Sequence, residues 1–189
     1  MKESQILDMF ESSGALFKGH FLLSSGLHSE KYLQCALLLS NPSYAEMLCN
    51  ELALKLQNER IDIVVGPAYG GIIVAHEVAR GLGVKAMFTE RKDGQMMLRR
   101  NFNIPEGSRV LVVEDVVTTG KSVKEVISLL KNYNADIVGV GSLVNRSATS
   151  SPFGDIPFYT LLNVEVKTYD ADKCPLCESG VALAKPGSR

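Results

Sequence analysis

The sequence predicts an α/β protein with an open, doubly wound, mainly parallel sheet and helices on both faces. Three short runs of mostly β-branched and apolar residues, "IDIVVG", "VLVVED" and "ADIVGVGSLVNR", are typical of strands that are buried on both faces. Stretches with helical spacing lie between them, as in "GIIVAHEVARGLG" and "SVKEVISLLKNY". This repeated order of strand, loop and helix favours parallel strands joined by right-handed crossovers.

The N-terminal part is expected to form a helix, two short strands and a longer helix. The first helix is predicted over residues 3–11, with three apolar side chains at helical spacing, Ile6, Leu7 and Phe10. The stretch "GHFLLSSGLHSEKYL" predicts two short strands joined around Gly26. Asn41 and Pro42 open the longer helix. Its buried stripe is predicted to be Tyr44, Met47, Leu48, Leu52 and Leu56.

The later elements alternate regularly. The segments "IDIVVG" and "VKAMFTE" predict strands on either side of the helix "GIIVAHEVARGLG", for which Gly81 or Gly83 is the expected C-cap. "VLVVED" predicts the next strand, and "ADIVGVGSLVNR" predicts the one after it. The helix "TTGKSVKEVISLLKNY" lies between these two strands, with one apolar face formed by Val123, Val126, Ile127 and Leu130.

The composition indicates one folded domain without a general affinity for polyanions. The chain has 189 residues, of which 46% are hydrophobic and 22% charged, and this suits one compact domain with a sizeable core. A net charge of -1 provides no overall basic field, so we expect no nucleic-acid partner and a local site for any anion. No signal peptide or membrane-spanning run is recognisable, so a cytoplasmic protein without a membrane partner is expected.

The stretch "VLVVEDVVTTGKSV" predicts a site for a phosphate beside a sugar. After the strand, the loop brings backbone N–H groups to the start of a helix, where an anion is stabilised. Gly120 allows a close turn. Glu114 and Asp115 would repel the same anion, so we expect them to bind hydroxyl groups, a cation or a developing positive charge. Further donors come from side chains of the loop, Thr118, Thr119, Lys121 and Ser122. Phosphate and polyol together suggest ribose 5-phosphate.

Two other interpretations of this stretch remain open. Gly120, Lys121 and Ser122 match the end of a nucleotide-binding P-loop, but Asp115 stands where that motif needs its first glycine. The stretch could also be a threonine-capped helix preceded by two acids without a function. Paired acids directly after a buried strand are costly, which disfavours that interpretation.

The segment "VVEDVVTTGKS" resembles the phosphoribosyl pyrophosphate motif of the type I phosphoribosyltransferases. Four further segments, "GHFLLSSGLHSEKYLQ", "VVGPAYGGI", "ERKDGQMMLRR" and "CPLCESGVALAKPGSR", resemble the short bacterial and archaeal form of the orotate phosphoribosyltransferases. The resemblance implies one type I phosphoribosyltransferase domain, with a small N-terminal hood over 1–40, an α/β core over about 41–165 and a C-terminal tail over 166–189. It also implies Mg²⁺ as cofactor and a homodimer in which a loop is shared between subunits.

The implied reaction converts orotate and phosphoribosyl pyrophosphate into orotidine 5′-monophosphate and pyrophosphate. By resemblance, the phosphoribosyl group is bound by Glu114, Asp115, Val116, Val117, Thr118, Thr119, Gly120, Lys121 and Ser122. Asp115 can stabilise the oxocarbenium-like transition state. The amides of Ala68, Tyr69 and Gly70 are expected to cradle the diphosphate. We expect Mg²⁺ to be carried mainly by the substrate rather than by protein side chains.

The segment "ERKDGQMMLRR" resembles the mobile catalytic loop of the family. Arg91 and Lys92 match its catalytic cations best, and Arg99 or Arg100 could replace cations that this chain lacks. A charged hairpin tip without a catalytic role is the alternative. A turn without a ligand is likewise the alternative for the segment "GPAYGG".

Orotate needs a cation for its carboxylate and a flat wall for its ring. Arg146 ends a predicted strand at the edge that carries the phosphate loop, where a bidentate carboxylate contact is its natural role. The resemblance implies Arg146, Thr118 and Tyr32 as the orotate-binding residues. Ser24 stands where many relatives have a lysine. A surface arginine and a core tyrosine are the structural alternatives.

The remaining cysteines and histidines have no clear assignment from spacing. Cys174 and Cys177 form a CxxC pair that could be structural, metal-binding or redox-active, and zinc would need two further ligands. His20, His28 and His76 are interpreted as structural because their spacing matches no metal motif. Cys35 and Cys49 are expected to be ordinary core thiols.

Two alternatives to an orotate-specific enzyme remain open: one concerns the base that is accepted, and the other concerns whether the protein is an enzyme. A purine phosphoribosyltransferase would share the phosphate loop and differ in the base pocket. A non-catalytic regulator that senses phosphoribosyl pyrophosphate would usually carry a DNA-binding segment, and none is recognisable before residue 40.

Overall fold

The computed structural model describes residues 1–23, 25–147 and 149–186. The helices are α1 Glu3–Ser12, α2 Cys35–Leu39, α3 Pro42–Lys55, α4 Gly70–Leu82, α5 Lys121–Lys131 and α6 Pro175–Glu178. The strands are β1 Leu16–Leu22, β2 His28–Leu33, β3 Ile63–Pro67, β4 Lys85–Lys92, β5 Gln95–Leu98, β6 Arg109–Val117, β7 Asp136–Asn145, β8 Phe158–Asn163 and β9 Thr168–Tyr169.

The larger sheet has the strand order β5-β4-β3-β6-β7-β8. Neighbouring strands of this sheet are parallel, except for β5, which pairs antiparallel with β4. Alternate residues of β3 face opposite sides: Val64 packs with α3 and α4, whereas Ile63 and Val65 pack with α5. The predicted α/β class, with a mainly parallel sheet covered on both faces, is therefore confirmed.

A smaller sheet joins the two ends of the chain. Its order is β1-β2-β9, so a strand from the C-terminal tail pairs with the N-terminal hairpin. Further along the tail, Ala184 donates its N–H to the carbonyl of His20 and accepts from the N–H of Leu22, both at 2.8 Å. The tail is thus hydrogen-bonded to the N-terminal hairpin at two places.

The apolar stripe of α3 differs from the prediction. Met47 is 40% exposed, and the buried set includes Ala45, Cys49 and Ala53 together with the predicted Leu48, Leu52 and Leu56. The reason is the close approach of α3 to α4 at Gly81, where a Cβ would lie 2.8 Å from Oδ1 of Asn50 and 3.1 Å from Cβ of Ala53. Small residues are therefore buried where the two helices meet.

Two other local predictions are also corrected. Leu7 of α1 is 40% exposed, whereas Ile6 and Phe10 are buried, so α1 contacts the core by a narrower face than expected. Gly83, rather than Gly81, is the C-cap of α4 and adopts the left-handed conformation with φ of 70°. Gly81 is needed for helix packing instead.

The charged segment "ERKDGQMMLRR" forms a β-hairpin between β4 and β5. Arg91 pairs with Met96 and Lys92 with Gln95, so only Asp93 and Gly94 form the turn. Both turn residues have positive φ, 52° and 79°, as the two-residue hairpin turn requires. None of the helices within the described ranges has the length and apolar character needed to cross a lipid bilayer.

Candidate active site

The predicted phosphate loop lies at the carboxyl end of β6 and leads into α5. Gly120 is the N-cap of α5 with φ of 70°, and a Cβ there would lie 2.9 Å from the ring of Phe153. Both the conformation and the available space therefore require glycine. The loop encloses a cavity of about 70 Å³ that is lined by Glu114 and residues 116–123. A helix N-terminus of this kind favours a small anion.

Glu114 and Asp115 form a partly buried acidic pair at the start of this loop. The N–H of Asp115 donates to Oε1 of Glu114 at 3.2 Å, and the N–H of Val116 donates to Oδ1 of Asp115 at 2.8 Å. Burial raises the pKa of both carboxyl groups, and the charge of Asp115 raises the pKa of Glu114 further. The pair is therefore well suited to accept hydrogen bonds from sugar hydroxyls or to face a positive charge.

The segment "GPAYGG" passes directly over Asp115. A Cβ on Gly70 would lie 2.3 Å from Oδ2 of Asp115, and a Cβ on Gly66 would lie 2.1 Å from the carbonyl oxygen of Gly71. The loop can approach the acidic pair this closely only because these positions are glycine. Tyr69, by contrast, is 89% exposed.

The prediction that Ala68 offers its amide to a ligand is corrected. Its N–H donates to the carbonyl of Thr89 at 2.8 Å, because the pairing of β3 with β4 continues one residue past the end of β3. Tyr69 and Gly70 therefore remain as the candidate amide donors of this loop.

A larger cavity of about 970 Å³ brings together the predicted sugar and base residues. Tyr32, Asp115, Thr118 and Arg146 all line it. The ring of Tyr32 packs with those of Phe17 and Phe21, whose centroids lie 6.4 Å and 5.9 Å from its own. One open cavity therefore reaches from the acidic pair to the arginine. Ser24 lies outside the described residues.

Besides Lys124, this cavity is lined by the cation Arg146. Its backbone N–H donates to the carbonyl of Val117 at 2.8 Å, which fixes it beside the phosphate loop. Its Nε is buried and has no hydrogen-bond partner within the described part of the chain. Burial lowers the pKa of the guanidinium, although nearby Tyr32 and Cys35 counteract this. A buried, unpaired guanidinium N–H is a strong candidate for binding an anion.

The cations of the β4–β5 hairpin differ in their partners. Arg91 forms an ion pair with Glu125 of α5 and donates to the carbonyl of Gly94 at 3.1 Å. Arg99 and Arg100 both pair with Glu90, at 3.2 Å and 3.0 Å. Lys92 is exposed and makes no ion pair within the described residues. Of the four cations, Lys92 is therefore the one available to a ligand without breaking an ion pair.

The hairpin tip lies near the phosphate loop. A cavity of about 650 Å³ separates them, lined by Gly94 and Gln95 on one side and by Thr119, Lys121 and Lys124 on the other. Ion pairing between Arg91 and Glu125 fastens the hairpin to α5 in this arrangement. The predicted catalytic segment is thus adjacent to the predicted phosphate site.

Sequence reasoning missed several lining residues, among them Lys124 and Cys35. Lys124 lines the cavities on both sides of the phosphate loop, and its position one turn after Lys121 in the helical pattern was the available signal. Cys35 is buried as expected, but it also lines the large cavity. Burial first, and then the charges of Asp115 and Glu114, raise the pKa of its thiol.

Comparison with known proteins agrees with this geometry. A family model described as a phosphoribosyl transferase domain matches residues 39–169. The orotate phosphoribosyltransferase of Caldanaerobacter subterraneus subsp. tengcongensis is 53% identical over 189 residues, which cover 100% of this chain and 99% of that protein.

Solved structures share the fold. The crystal structure of orotate phosphoribosyltransferase from Aeropyrum pernix superposes with a TM-score of 0.72 at 25% identity, covering 84% of this chain and 93% of that one. Adenine phosphoribosyltransferase from Thermoanaerobacter pseudethanolicus superposes with a TM-score of 0.64 at 15% identity, covering 71% of this chain and 88% of that one. The second likeness shows a common fold alone.

Proposed function

This chain belongs to the phosphoribosyltransferase family, in the group of the orotate phosphoribosyltransferases, and we propose that the cavity described above carries out that reaction. The phosphoribosyl group of phosphoribosyl pyrophosphate is transferred to orotate, giving orotidine 5′-monophosphate and pyrophosphate. This is a glycosyl transfer of de novo pyrimidine biosynthesis. The observation that carries the assignment of the base is the buried, unpaired Nε of Arg146 in the cavity that Asp115 also lines.

The phosphate loop binds the 5-phosphate. Its small cavity lies at the N-terminus of α5, where backbone N–H groups and the helix dipole stabilise a dianion. The hydroxyls of Thr118, Thr119 and Ser122 and the ammonium of Lys121 provide further donors. The phosphate therefore anchors the sugar next to the acidic pair.

Glu114 and Asp115 bind the ribose hydroxyls and stabilise the reacting sugar. Asp115 carries the negative charge of the pair, because the N–H of Val116 donates to its Oδ1. As the bond from the anomeric carbon to pyrophosphate breaks, positive charge develops on the ring, and a carboxylate in a desolvated site stabilises it strongly. Neither acid needs to form a covalent bond to the sugar.

The amides of Tyr69 and Gly70 face the diphosphate, and Lys92 of the hairpin provides a cation. Pyrophosphate leaves with several negative charges, so donors that surround it lower the barrier to its departure. Mg²⁺ neutralises part of this charge when it is bound with the substrate. We assign the side chains of Glu114 and Asp115 beside the substrate, and their oxygens would be suitable ligands for a hard cation.

Arg146, Thr118 and Tyr32 bind the base. The guanidinium pairs with the orotate carboxylate, the hydroxyl of Thr118 adds a hydrogen bond, and the ring of Tyr32 forms a flat wall. An anionic base compensates the buried charge of Arg146, whereas a neutral purine would leave it unpaired. This difference favours orotate over a purine phosphoribosyltransferase.

We also propose a homodimer in which Lys92 acts in the partner's site. Lys92 is exposed beside the hairpin turn and has no ion-pair partner among the described residues, which supports this arrangement. A regulator that only senses phosphoribosyl pyrophosphate would not need these cations near the leaving group.

A panel of bases tests the proposed function. Purified protein, phosphoribosyl pyrophosphate and Mg²⁺ are incubated with orotate, adenine, hypoxanthine or xanthine, and nucleotide and pyrophosphate are measured. We expect orotidine 5′-monophosphate with orotate and no turnover of the purines. Turnover of a purine without turnover of orotate would support a purine phosphoribosyltransferase, and turnover of no base would support a sensor.

A further inference from the structure

Four potential metal ligands converge where the C-terminal tail meets the N-terminal hairpin. His20 lies on β1 and His28 on β2, whereas Cys174 is the N-cap of α6 and Cys177 lies within α6. One ligand atom from each residue lies within 4.8 Å of all the others. This group, the His2Cys2 cluster, is separate from the residues assigned to substrates.

Three of the four distances within the His2Cys2 cluster fall in the range of a tetrahedral site, and the distance between the two histidine nitrogens is shorter than that range. Nε2 of His20 lies 2.9 Å from Nδ1 of His28, 3.5 Å from Sγ of Cys174 and 3.8 Å from Sγ of Cys177. Sγ of Cys177 lies 3.3 Å from Nδ1 of His28. Bonds of about 2.3 Å to sulfur and 2.0–2.1 Å to nitrogen place tetrahedral ligand atoms roughly 3.3–3.8 Å apart.

The orientation of His20 suits a ligand. Its Nδ1 lies 2.8 Å from the carbonyl oxygen of Val181, an acceptor, so Nδ1 carries the proton and donates it. The lone pair is therefore on Nε2, which is the atom that points into the cluster. Metal-bound histidines are commonly oriented by such a hydrogen bond to a backbone carbonyl.

Burial distinguishes this cluster from a chance group of surface residues. Cys174, His20 and His28 are 1%, 2% and 5% exposed, and Cys177 closes the cluster on the solvent side. Both thiols are free rather than joined in a disulfide. Two imidazoles and one thiol are costly to bury together without a ligand that they share.

We propose that His20, His28, Cys174 and Cys177 bind one structural zinc ion. Two sulfur and two nitrogen ligands in a compact tetrahedron are typical of zinc. With four protein ligands the coordination is closed, so the ion binds no substrate. This site is independent of the proposed transferase activity and adds a role that the reaction does not require.

The zinc ion fastens the tail to a wall of the substrate cavity. β2 carries both His28 and Tyr32, and Ser29 of β2 pairs with Thr168 of the tail. Tyr32 and Thr168 line the large cavity. Because the tail has few buried apolar side chains near α6, the metal provides the cross-link that holds it against the hairpin.

Metal analysis of the full-length protein tests the proposal. The wild type, produced in zinc-supplemented medium and purified without chelator, is expected to contain about one zinc ion per chain. We expect loss of most of this zinc in Cys177→Ser and in His28→Gln. Matched controls, Cys49→Ala and His76→Gln, change a thiol and an imidazole outside the cluster and should retain it. Zinc retained by both cluster variants would overturn the proposal.

Cobalt binding provides a test that does not depend on the folding of a variant. Metal-free wild type, prepared with chelator under reducing conditions, is titrated with Co²⁺. We expect the visible absorption of tetrahedral cobalt with a thiolate charge-transfer band, and a rise in Tm of several degrees on addition of zinc. A wild type that is isolated without metal and gives no such spectrum would overturn the proposal. So would a Cys174–Cys177 disulfide in freshly purified protein, since it indicates a redox pair.

Discussion

Gly70 and Asp115 are packed so closely that the diphosphate loop and the sugar site form one structural unit. A Cβ on Gly70 would lie 2.3 Å from Oδ2 of Asp115, far inside van der Waals contact. The loop that we assign to the leaving group therefore fixes the carboxylate that we assign to the developing positive charge. The function of glycine at this position is therefore steric.

Gly70→Ala is expected to reduce activity much more than stability. The methyl group must displace the carboxylate of Asp115, and misplacement of a catalytic group by about 1 Å can lower the rate by about 100-fold. Steady-state kinetics should show lower kcat. Gly81→Ala is the matched control, because it inserts a methyl group between α3 and α4, away from the site. It should lower Tm and leave kcat unchanged. Unaltered kcat in Gly70→Ala would contradict the assigned contact.

Glu114→Gln is expected to change the pH dependence of stability. Burial and Asp115 raise the pKa of Glu114 in the folded protein. Above the ordinary pKa of about 4.3, the folded protein therefore binds more protons than the unfolded chain, and the free energy of unfolding falls as pH rises toward the raised value. The glutamine side chain cannot ionise. Without substrate, the free energy of unfolding of the variant at pH 8 should therefore be higher than that of the wild type by about 1 kcal/mol or more.

This difference should shrink toward pH 5, where the glutamic acid is protonated in the folded state. Urea denaturation at the two pH values measures it. Glu3→Gln, at an exposed position of α1, is the control and should show no comparable change. A wild type as stable as Glu114→Gln at pH 8 would argue against a Glu114 that stays protonated in the folded protein.

Mixing two inactive variants tests whether Lys92 acts across a dimer. Lys92→Ala and Asp115→Asn are each expected to be nearly inactive. If the hairpin of one subunit completes the site of its partner, a mixed dimer has one site with both residues intact. Random mixing in equal amounts should then restore about a quarter of wild-type activity.

The mixture is formed by mild denaturation and refolding, with size-exclusion chromatography to measure assembly. If Lys92 acts within its own subunit, each chain of a mixed dimer lacks one residue and activity stays at the level of the separate variants. That result, or a monomeric wild type, would contradict the shared-loop proposal.

Local patterns were sufficient to predict the central sheet and the phosphate loop. Buried parallel strands such as β3 and β6 are continuous apolar runs, and Gly120 marks the turn into α5. The hairpin was also readable, because Asp93 and Gly94 are a typical two-residue turn. A hairpin tip was accordingly the alternative that the sequence offered for this segment.

Features that depend on tertiary contacts could not be predicted from the spacing of residues along the sequence. His20 and Cys174 are separated by 154 positions, so neither their spacing nor the absence of a second CxxC indicated the cluster. The amide of Ala68 is occupied because a neighbouring strand is in register with it. The buried face of α3 depends on Gly81 of another helix. Each of these required the packed chain.

The proposed function depends on the pairing of the orotate carboxylate with Arg146, and Arg146→Ala tests this pairing most directly. Initial rates are measured while orotate and phosphoribosyl pyrophosphate are varied separately, with Arg60→Ala as control, since the side chain of Arg60 is 82% exposed. Loss of a buried charge partner should raise KM for orotate and lower kcat/KM by at least about 100-fold. KM for phosphoribosyl pyrophosphate should change little. Equal losses for both substrates, or an unchanged KM for orotate, would contradict the assignment.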